Sequence, residues 1–594
     1  MRTNRFLPRL TLMACLALSA ATVGCDDEND PATHVKKLNA DNRRPAAMRK
    51  LRELFLARLS MTRPPNNVAD PSVKAFLDAT LPAVAEAFTA HPEEVSTRKE
   101  AIEILAGSND VRAVPALLSA LNFHVGNTDS ERIALQAAQA LRALHPNQPA
   151  AVQGLLGAID RASANSGNSP AIRESVVYAL GAIGDRGAVD TLKRLLQRPI
   201  RDQEIRTARA AADALGEIGD VSAADALVYG LYLNIRTGSS RANAFNNCAR
   251  ALVKLGPDAA VPRLMATLSN ENVLVTDLLR SYETEPGMPA MPPGFMKSQA
   301  IDVLRNFADA RAIDVLLGLV RNRQESANVR AAAAETVAYT ALGLPRDDAR
   351  RTTIFDALVT VMNESAAGAT GDPTTGMGAD MAPSMAPALV VLGDPRTPGV
   401  LMRRIGARET AAPEAVVFRM SLLMPLASAV RHADFEGFDR LATTAQQQLE
   451  GLIQQAPAEE REDAERQVRP VLTQLTTIRA VAGVARDCED GQIACYQQKL
   501  QDPDKNVIRK AAYMIAWTGG ENADARAALL ARADIPDMIV RRSIHTAIDS
   551  LSPHGCAECI TRLEAVIAAE RGQESKSVMH LEAQMLMARL RNRH

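Results

Sequence analysis

Apolar residues fall on one helical face in two successive stretches of the chain. They occupy matching positions 35 residues apart, namely Val176, Val177, Leu180 and Ile183 in the first stretch and Ala211, Ala212, Leu215 and Ile218 in the second. A further apolar stripe at helical spacing follows the first stretch, at Val189, Leu192, Leu195 and Leu196. The pattern predicts pairs of amphipathic helices rather than strands.

Each predicted pair is joined by a short turn that is nearly the same in both stretches. The sequence reads ALGAIGDRGAVDTL over residues 179–192 and ALGEIGDVSAADAL over residues 214–227. Gly184 and Gly219 suit the left-handed conformation that ends many helices. We expect the following Asp185 and Asp220 to accept hydrogen bonds from amides that are free in the turn or at the next helix start.

The turn recurs with a regular period. Equivalent turns lie at Asp110, Pro146, Asp185, Asp220 and Pro257, at intervals of 35 to 39 residues. Two longer intervals further along contain Met-, Pro- and Gly-rich insertions, near residues 281–297 and 364–385. Because one helix pair cannot bury its own apolar stripes, neighbouring pairs must stack. We therefore predict an all-α fold, an α-solenoid formed by a superhelical stack of antiparallel helix pairs.

The repeated phrase resembles the HEAT repeat, in particular the short form first noted in bilin-lyase-like proteins. The consensus of that form approximates R-x-x-A-A-x-A-L-G-x-I-G-D-x-x-A-V-P-x-L-x-x-L-L, and the resemblance is strong over residues 95–405 and again over 507–568. The resemblance implies antiparallel helix pairs and an extended surface that serves mainly for protein–protein contact. A lyase activity is suggested only by the name of the family.

Composition and periodicity divide the chain into six segments. They are a lipoprotein signal peptide (1–24), a flexible tether (25–44), an N-terminal helical cap (45–94), HEAT-like repeats with the two insertions (95–405), divergent long helices (406–486) and C-terminal HEAT-like repeats with two cysteine pairs (487–594). The length of 594 residues exceeds that at which a single core stops growing. A linear array accounts for this length without one large core.

The composition agrees with helices and argues against a nucleic-acid partner. Hydrophobic residues make up 47% of the chain but aromatic residues only 3%, so the apolar side chains are mainly small ones that suit closely packed helices. The formal net charge is -1. Nucleic-acid and polybasic membrane surfaces need a strong excess of Lys and Arg. We therefore expect no nucleic-acid partner.

The first 25 residues have the layout of an export signal. A basic opening and an apolar stretch from Leu10 to Ala21 precede Cys25, and the stretch is too short for a permanent membrane span. The residues TVGC resemble the bacterial lipobox, which implies that Cys25 is acylated and becomes the first residue. A plain cleaved signal and a buried N-terminal helix are the alternatives. We expect a lipid-anchored protein of the bacterial cell envelope, on the inner or outer membrane and facing the periplasm or the exterior.

Four further cysteines form two close pairs, Cys488 with Cys495 and Cys556 with Cys559. In an exported protein, two local disulfides are the simplest interpretation. A four-cysteine zinc site and a redox-active Cys-x-x-Cys are the alternatives. Cys248 aligns with the buried helical face and is expected to be a core thiol.

No catalytic motif emerges from the sequence. The nine histidines are scattered singly, and neither His-Glu-x-x-His nor Gly-x-Ser-x-Gly occurs. We therefore predict a non-enzymatic scaffold without a cofactor or metal, which binds a protein or peptide along the solenoid. The alternative is a metal-binding or redox accessory protein that uses the cysteine pairs or the Met-rich insertions, since thioethers bind copper(I).

Three residues are candidates for contact with that partner. Tyr229, Tyr232 and Arg321 lie on predicted second helices, away from the positions expected to be buried. Tyrosine and arginine contribute much of the binding energy in protein interfaces, and tyrosine is scarce in this chain. We therefore predict that these side chains anchor a protein or peptide.

Overall fold

The computed structural model describes the chain from Asp27 to Arg593, apart from residues 145–148, 163–167, 238–239, 285–293, 365–379, 408–412, 519–521, 571, 574–575 and 592. The chain divides into two compact units, residues 1–179 and 180–594. Helices make up nearly all of the secondary structure described in both units, so the predicted all-α solenoid is confirmed.

The first unit contains helices α1 to α8, and α8 continues four residues into the second unit. The helices are α1 (Pro31–Lys37), α2 (Arg44–Met61), α3 (Pro71–Ala90), α4 (Val95–Gly107), α5 (Val114–Ala120), α6 (Thr128–Leu144), α7 (Pro149–Arg161) and α8 (Ser169–Ile183). Helices α2 and α3 correspond to the predicted N-terminal cap, and the rings of Phe55 and Phe76 stack between them with centroids 6.0 Å apart. Helices α4 and α6 then pack side by side, as first helices of successive repeats do.

The second unit contains helices α9 to α29 and one antiparallel hairpin. The elements are α9 (Val189–Leu196), α10 (Ile205–Ile218), α11 (Ala224–Gly230), β1 (Asn234–Thr237), β2 (Ser240–Asn243), α12 (Phe245–Leu255), α13 (Pro257–Leu268), α14 (Val273–Thr284), α15 (Phe295–Leu304), α16 (Ile313–Arg321), α17 (Ala327–Ala341), α18 (Ala349–Glu364), α19 (Ala382–Leu392), α20 (Thr397–Gly406), α21 (Pro413–Ala429), α22 (Phe435–Gln455), α23 (Arg461–Asp487), α24 (Ile493–Lys499), α25 (Lys505–Thr518), α26 (Ala523–Leu530), α27 (Met538–Ser550), α28 (Ala557–Ala569) and α29 (Ser577–Arg591). Single 3-10 turns lie at Val111–Ala113, Arg186–Ala188, Ile200–Asp202, Val221–Ala223, Ala310–Ala312 and His432–Asp434. Helix α10 packs against α9 and α12, and α17 packs against α15 and α19, as stacked pairs require.

The turns of the repeated phrase have the predicted geometry. Gly184 and Gly219 are left-handed, with φ of +75° and +72°. The Asp185 carboxylate accepts a hydrogen bond from the Gly187 amide at 2.7 Å, and Asp220 accepts one from the Ser222 amide at 2.9 Å. Each aspartate therefore caps the 3-10 turn that leads into the second helix.

Another glycine of the phrase has a role that the sequence analysis missed. A Cβ atom on Gly216 would lie 2.9 Å from both Cα and Cβ of Ala251 in the next repeat. The matching Gly181 has the same relation to Ala214, at 2.7 Å. Since real Cβ atoms do not approach a backbone this closely, these positions need glycine so that α10 can lie directly against α12.

The predicted flexible tether over residues 25–44 is corrected by the structure from Pro31 onwards. Helix α1 lies within this segment, and Asp30 caps it by accepting a hydrogen bond from the Ala32 amide at 3.1 Å. The His34 side chain is buried and its Nε2 atom is 2.9 Å from the carbonyl oxygen of Glu28. The predicted signal peptide and Cys25 lie outside the described residues.

The predicted divergent helices over residues 406–486 correspond to a long hairpin of α22 and α23, with 21 and 27 residues. In each of the two predicted insertions, most of the residues lie outside the described part of the chain. Met381 and Met385 are exceptions, because they lie just before and within α19 and are buried in the core. These two thioethers are therefore not part of an exposed Met-rich loop. No described helix has the length and the apolar character that a membrane span requires.

Candidate functional site

The inner pocket is a partly open cavity of about 290 Å³ in the second unit, lined by side chains on or next to α17, α19, α21, α23, α25 and α27. Most of these are first helices of their repeats. The side that α25 presents to the cavity follows from its helical pattern. Val507, Ala511 and Ile515 are buried in the core behind it, so the residues at intermediate positions, including Arg509 and Tyr513, line the cavity.

Two contacts join repeats that are distant in sequence beside this pocket. Arg346, which follows α17, donates hydrogen bonds to the carbonyl oxygens of Ala516 and Trp517 at 2.6 and 2.8 Å. These carbonyls lie near the C-terminal end of α25, where a cation is favoured. Gly393 follows α19 with a φ of +71°, and a Cβ atom there would overlap the indole nitrogen of Trp517. Both the backbone and the indole therefore require glycine at this position.

An aromatic pair forms part of the pocket wall. Trp517, the only tryptophan in the sequence, lies beside Tyr513 with ring centroids 5.3 Å apart. The Arg431 guanidinium lies 4.1 Å from the centroid of the Trp517 ring, a cation–π geometry. The Tyr513 hydroxyl is buried and makes no hydrogen bond to the described residues. Its burial raises the pKa of Tyr513, so the hydroxyl remains protonated.

Lys510 ties α25 to the end of α21. Its ammonium group donates to the carbonyl oxygens of Ser428 and Val430 at 2.7 and 2.6 Å. Burial lowers the pKa of Lys510 to about 7. The two carbonyls belong to a helix C-terminus, whose partial negative charge favours the protonated form. The hydrogen-bonding capacity of Lys510 is therefore directed to the fold rather than to the cavity.

Two exposed arginines are the other charged residues that line the pocket. Arg542 donates from Nε to a Glu582 oxygen at 2.9 Å. Arg509 donates from Nε to the Ser543 hydroxyl at 3.3 Å. The described side chains that line the pocket include three basic groups and no Asp or Glu. The lining therefore combines an apolar surface with an excess of positive charge.

The burial of Tyr232 corrects its prediction as a partner anchor. Its hydroxyl donates to the Met296 carbonyl oxygen at 2.9 Å, and its ring meets that of Phe295 edge-on. Tyr229 is half-buried and borders a separate shallow cavity of about 360 Å³ next to α14. Arg321 is exposed at the end of α16. Tyr232 is therefore not available to a partner, and only Tyr229 and Arg321 remain as candidate contacts.

Both cysteine pairs have a geometry suited to disulfides. The Cα atoms of Cys488 and Cys495 lie 5.7 Å apart, and those of Cys556 and Cys559 lie 5.3 Å apart, within the usual range for a disulfide. Among the described residues, the one group of three candidate metal ligands contains no cysteine. The structure pairs the four sulfur atoms in two separate disulfides, as the simplest interpretation of the sequence predicts.

Cysteine mapping of the full chain, purified without reductant, should recover Cys488 with Cys495 and Cys556 with Cys559 as linked pairs. Cys248 is a buried thiol, and burial raises its pKa, so it should react with an alkylating reagent only after denaturation. Mass spectrometry of the alkylated peptides measures both results. Rapid alkylation of all four paired cysteines in the native protein would contradict the disulfides, and stoichiometric zinc in that sample would favour the metal alternative.

The inner pocket was not predicted from the sequence. Its residues come from helices more than 150 positions apart, so no local motif marks them. The sequence did contain one signal of such a site. The chain has a single tryptophan and only 3% aromatic residues, so a large aromatic side chain at this position is unusual. The spacing of Arg509, Tyr513 and Trp517 by four residues also places them on one helical face.

Family comparisons agree with the repeat architecture. A model of HEAT repeats matches residues 162–232, and a model of the PBS lyase HEAT-like repeat matches residues 97–123. The chain matches no curated protein. The HEAT repeats are thus recognised in the region where the repeated phrase is most regular.

Three solved structures are similar at low identity. Human deoxyhypusine hydroxylase in complex with glycerol is 17% identical, with 54% of this chain and 99% of that chain covered and a TM-score of 0.19. The karyopherin Kap121p bound to the SUMO protease Ulp1p is 12% identical, with 95% of this chain and 75% of that chain covered and a TM-score of 0.24. Kap121p bound to RanGTP is 12% identical, with 93% of this chain and 76% of that chain covered and a TM-score of 0.24. Scores of this size support no inference about function.

Proposed function

We propose that this protein is a non-enzymatic HEAT-repeat scaffold that binds a protein partner in the bacterial cell envelope and is held on a membrane by acyl chains on Cys25. The observation that carries the proposal is the stack of helix pairs itself. Such stacks present long surfaces to other proteins, and the repeats supply shape rather than reactive groups. The sequence before Cys25 supports export and lipid attachment.

Two basic groups that line the inner pocket support a scaffold rather than an enzyme. The buried Lys510 is bonded to backbone carbonyls, and the exposed Arg542 is paired with Glu582. Catalytic groups are usually placed beside one another with their reactive atoms open to a cavity. In the described residues these side chains stabilise contacts between helices instead.

Lipid attachment is tested by labelling cells with a radioactive fatty acid and isolating the full chain. We expect label in the wild type and none in Cys25→Ser, which should also leave the membrane fraction. Cys15→Ser is the matched control, because it changes a cysteine in the same N-terminal region and should keep the label. Equal labelling of Cys25→Ser and the wild type would overturn the anchor.

Partner binding is tested by crosslinking intact cells and capturing the protein from solubilised membranes. Tyr229 and Arg321 remain the proposed contacts on the second helices. The double variant Tyr229→Ala and Arg321→Ala should recover the main crosslinked partner at least about fivefold less well than the wild type, since truncated contacts at such positions cost on the order of 1–2 kcal/mol. Arg194→Ala, an exposed arginine on α9, is the control. A partner lost equally in the control, or no partner at all, would count against the proposal.

A further inference from the structure

We propose that the inner pocket binds the C-terminal residue of a partner protein, with an apolar side chain against Tyr513 and Trp517 and the terminal carboxylate at Arg509. This inference rests on the proposed scaffold function and names the chemistry of the partner. It concerns a site that is separate from Tyr229 and Arg321. It assigns a role to a cavity that the proposed scaffold function does not itself use.

The size of the pocket suits one residue rather than a helix or a strand. A volume of about 290 Å³ lies just below the usual range for small-ligand sites, which is roughly 300–1,000 Å³. The walls are mainly apolar side chains from opposite helices, including Leu342, Val391 and Met424. An apolar side chain entering the cavity would be removed from water on several sides.

The charge of the lining selects an anion. Arg509, Lys510 and Arg542 line the pocket, and no described lining residue is acidic. Lys510 is engaged by two carbonyls and Arg542 by Glu582. Arg509 is exposed, its hydrogen bond to Ser543 is long at 3.3 Å, and its charge also acts on the Asp537 carboxylate, which is not among the lining residues. Of the three basic groups, it is the one best placed to receive an anion.

The spacing along α25 favours a C-terminal residue over an internal acidic one. Arg509 and Tyr513 are four positions apart, which places their Cβ atoms about 5–6 Å from one another on the same face. A C-terminal residue carries its carboxylate and its side chain on the same Cα atom, so both fit this short distance. An arginine guanidinium is also shaped to bind a carboxylate through two parallel hydrogen bonds.

Trp517 provides the measurement, because it is the only tryptophan in the chain and lines the pocket. The full chain is titrated with N-acetyl-Ala-Ala-Leu as the free acid, and the tryptophan emission is recorded. We expect a saturable change. The same peptide with a C-terminal amide should bind at least about tenfold more weakly, since a neutral amide cannot form the paired charged hydrogen bonds that a carboxylate forms with an arginine guanidinium. N-acetyl-Ala-Ala-Gly, which lacks the apolar side chain, should also bind more weakly.

Three variants relate the signal to the site. Arg509→Gln should weaken binding of the free acid about tenfold and leave the amide unchanged. Val391→Phe, which fills the cavity, should abolish the change for both. Lys505→Gln is the matched control, because it removes a charge from the same helix at a side chain that does not line the pocket and lies 3.9 Å from Asp537. We expect it to bind within twofold of the wild type.

Several outcomes would overturn the inference. They are no saturable change with the free acid, equal binding of acid and amide, or an Arg509→Gln variant that binds like the wild type. Decanoate distinguishes a free fatty acid from a protein terminus, and binding of decanoate at least tenfold tighter than the peptide would also overturn it. If Tyr229 and Arg321 variants lose a crosslinked partner while no peptide binds, the scaffold function stands and this inference fails. If peptide binds but no partner is captured, the scaffold function fails instead.

Discussion

Replacing Glu570 by alanine is expected to lower the free energy of unfolding by about 3–5 kcal/mol, because it leaves a buried arginine charge without its partner. Arg541 donates to the two Glu570 oxygens at 2.9 and 3.0 Å. Only 1% of the Arg541 side chain and 8% of the Glu570 side chain are exposed. Chemical denaturation followed by circular dichroism measures the loss.

The Glu570 carboxylate also contacts two basic side chains, one just before α29 and one within it. Lys576 and His580 lie 2.6 and 3.1 Å from its two oxygens. The hydrogen bonds from Arg541 are the main cause that lowers the pKa of Glu570 to about 2. A lowered carboxyl pKa stabilises the fold above the ordinary value of 4.5, and this contribution is lost as the pH falls towards 2. The wild type should therefore lose stability more steeply than the variant over this range.

The control for Glu570 is Glu564, which forms an ion pair of the same type on the surface. Glu564 lies 2.6 Å from Arg591, and about half of each side chain is exposed, 55% and 52%. Glu564→Ala should lower the free energy of unfolding by less than about 1 kcal/mol. A double variant, Arg541→Met with Glu570→Leu, should recover much of the loss by removing both charges. Equal effects of Glu570→Ala and Glu564→Ala would show that the buried pair has no special role.

Replacing Gly216 by alanine is expected to destabilise the second unit, although alanine is the better helix former. The added methyl group would lie 2.9 Å from Cα and Cβ of Ala251, so α10 and α12 would have to separate. Overpacking of this kind costs about 1–3 kcal/mol. The midpoint of denaturation should fall accordingly, and Gly216→Val should lower it further.

Gly318 in α16 offers the same substitution without the contact. Gly318 is exposed, and a Cβ atom at this position would meet no other atom within 4 Å. Gly318→Ala should therefore raise the free energy of unfolding by about 0.5–1 kcal/mol through helix propensity alone. The two alanine variants should shift the midpoint in opposite directions. A stabilising Gly216→Ala would mean that the two helices are not in backbone contact.

The features that repeat along the chain were predictable from the sequence. The helix pairs, the left-handed Gly219 and the cap formed by Asp220 depend on residues within a few positions of one another, and the period fixes where each recurs. The core position of Cys248 followed from the same alignment. Local rules were sufficient for these features.

Departures from the period were not predictable in the same way. Tyr232 was assigned to a second helix, but α11 ends at Gly230 and the chain then turns into β1, so the helical register no longer applies. Its hydroxyl instead meets Met296, 64 positions further along. The inner pocket was missed for the same reason, because it depends on which distant repeats meet.

The hydrogen bonds from Arg346 to the end of α25 connect residues up to 171 positions apart. In a stack joined only through nearest neighbours, the last repeat can unravel while the others stay folded. A link across such a distance makes the middle and late repeats depend on one another, so they should be lost together. During synthesis, Arg346 cannot make this contact until α25 has left the ribosome, so the link between the middle and late repeats closes late in folding.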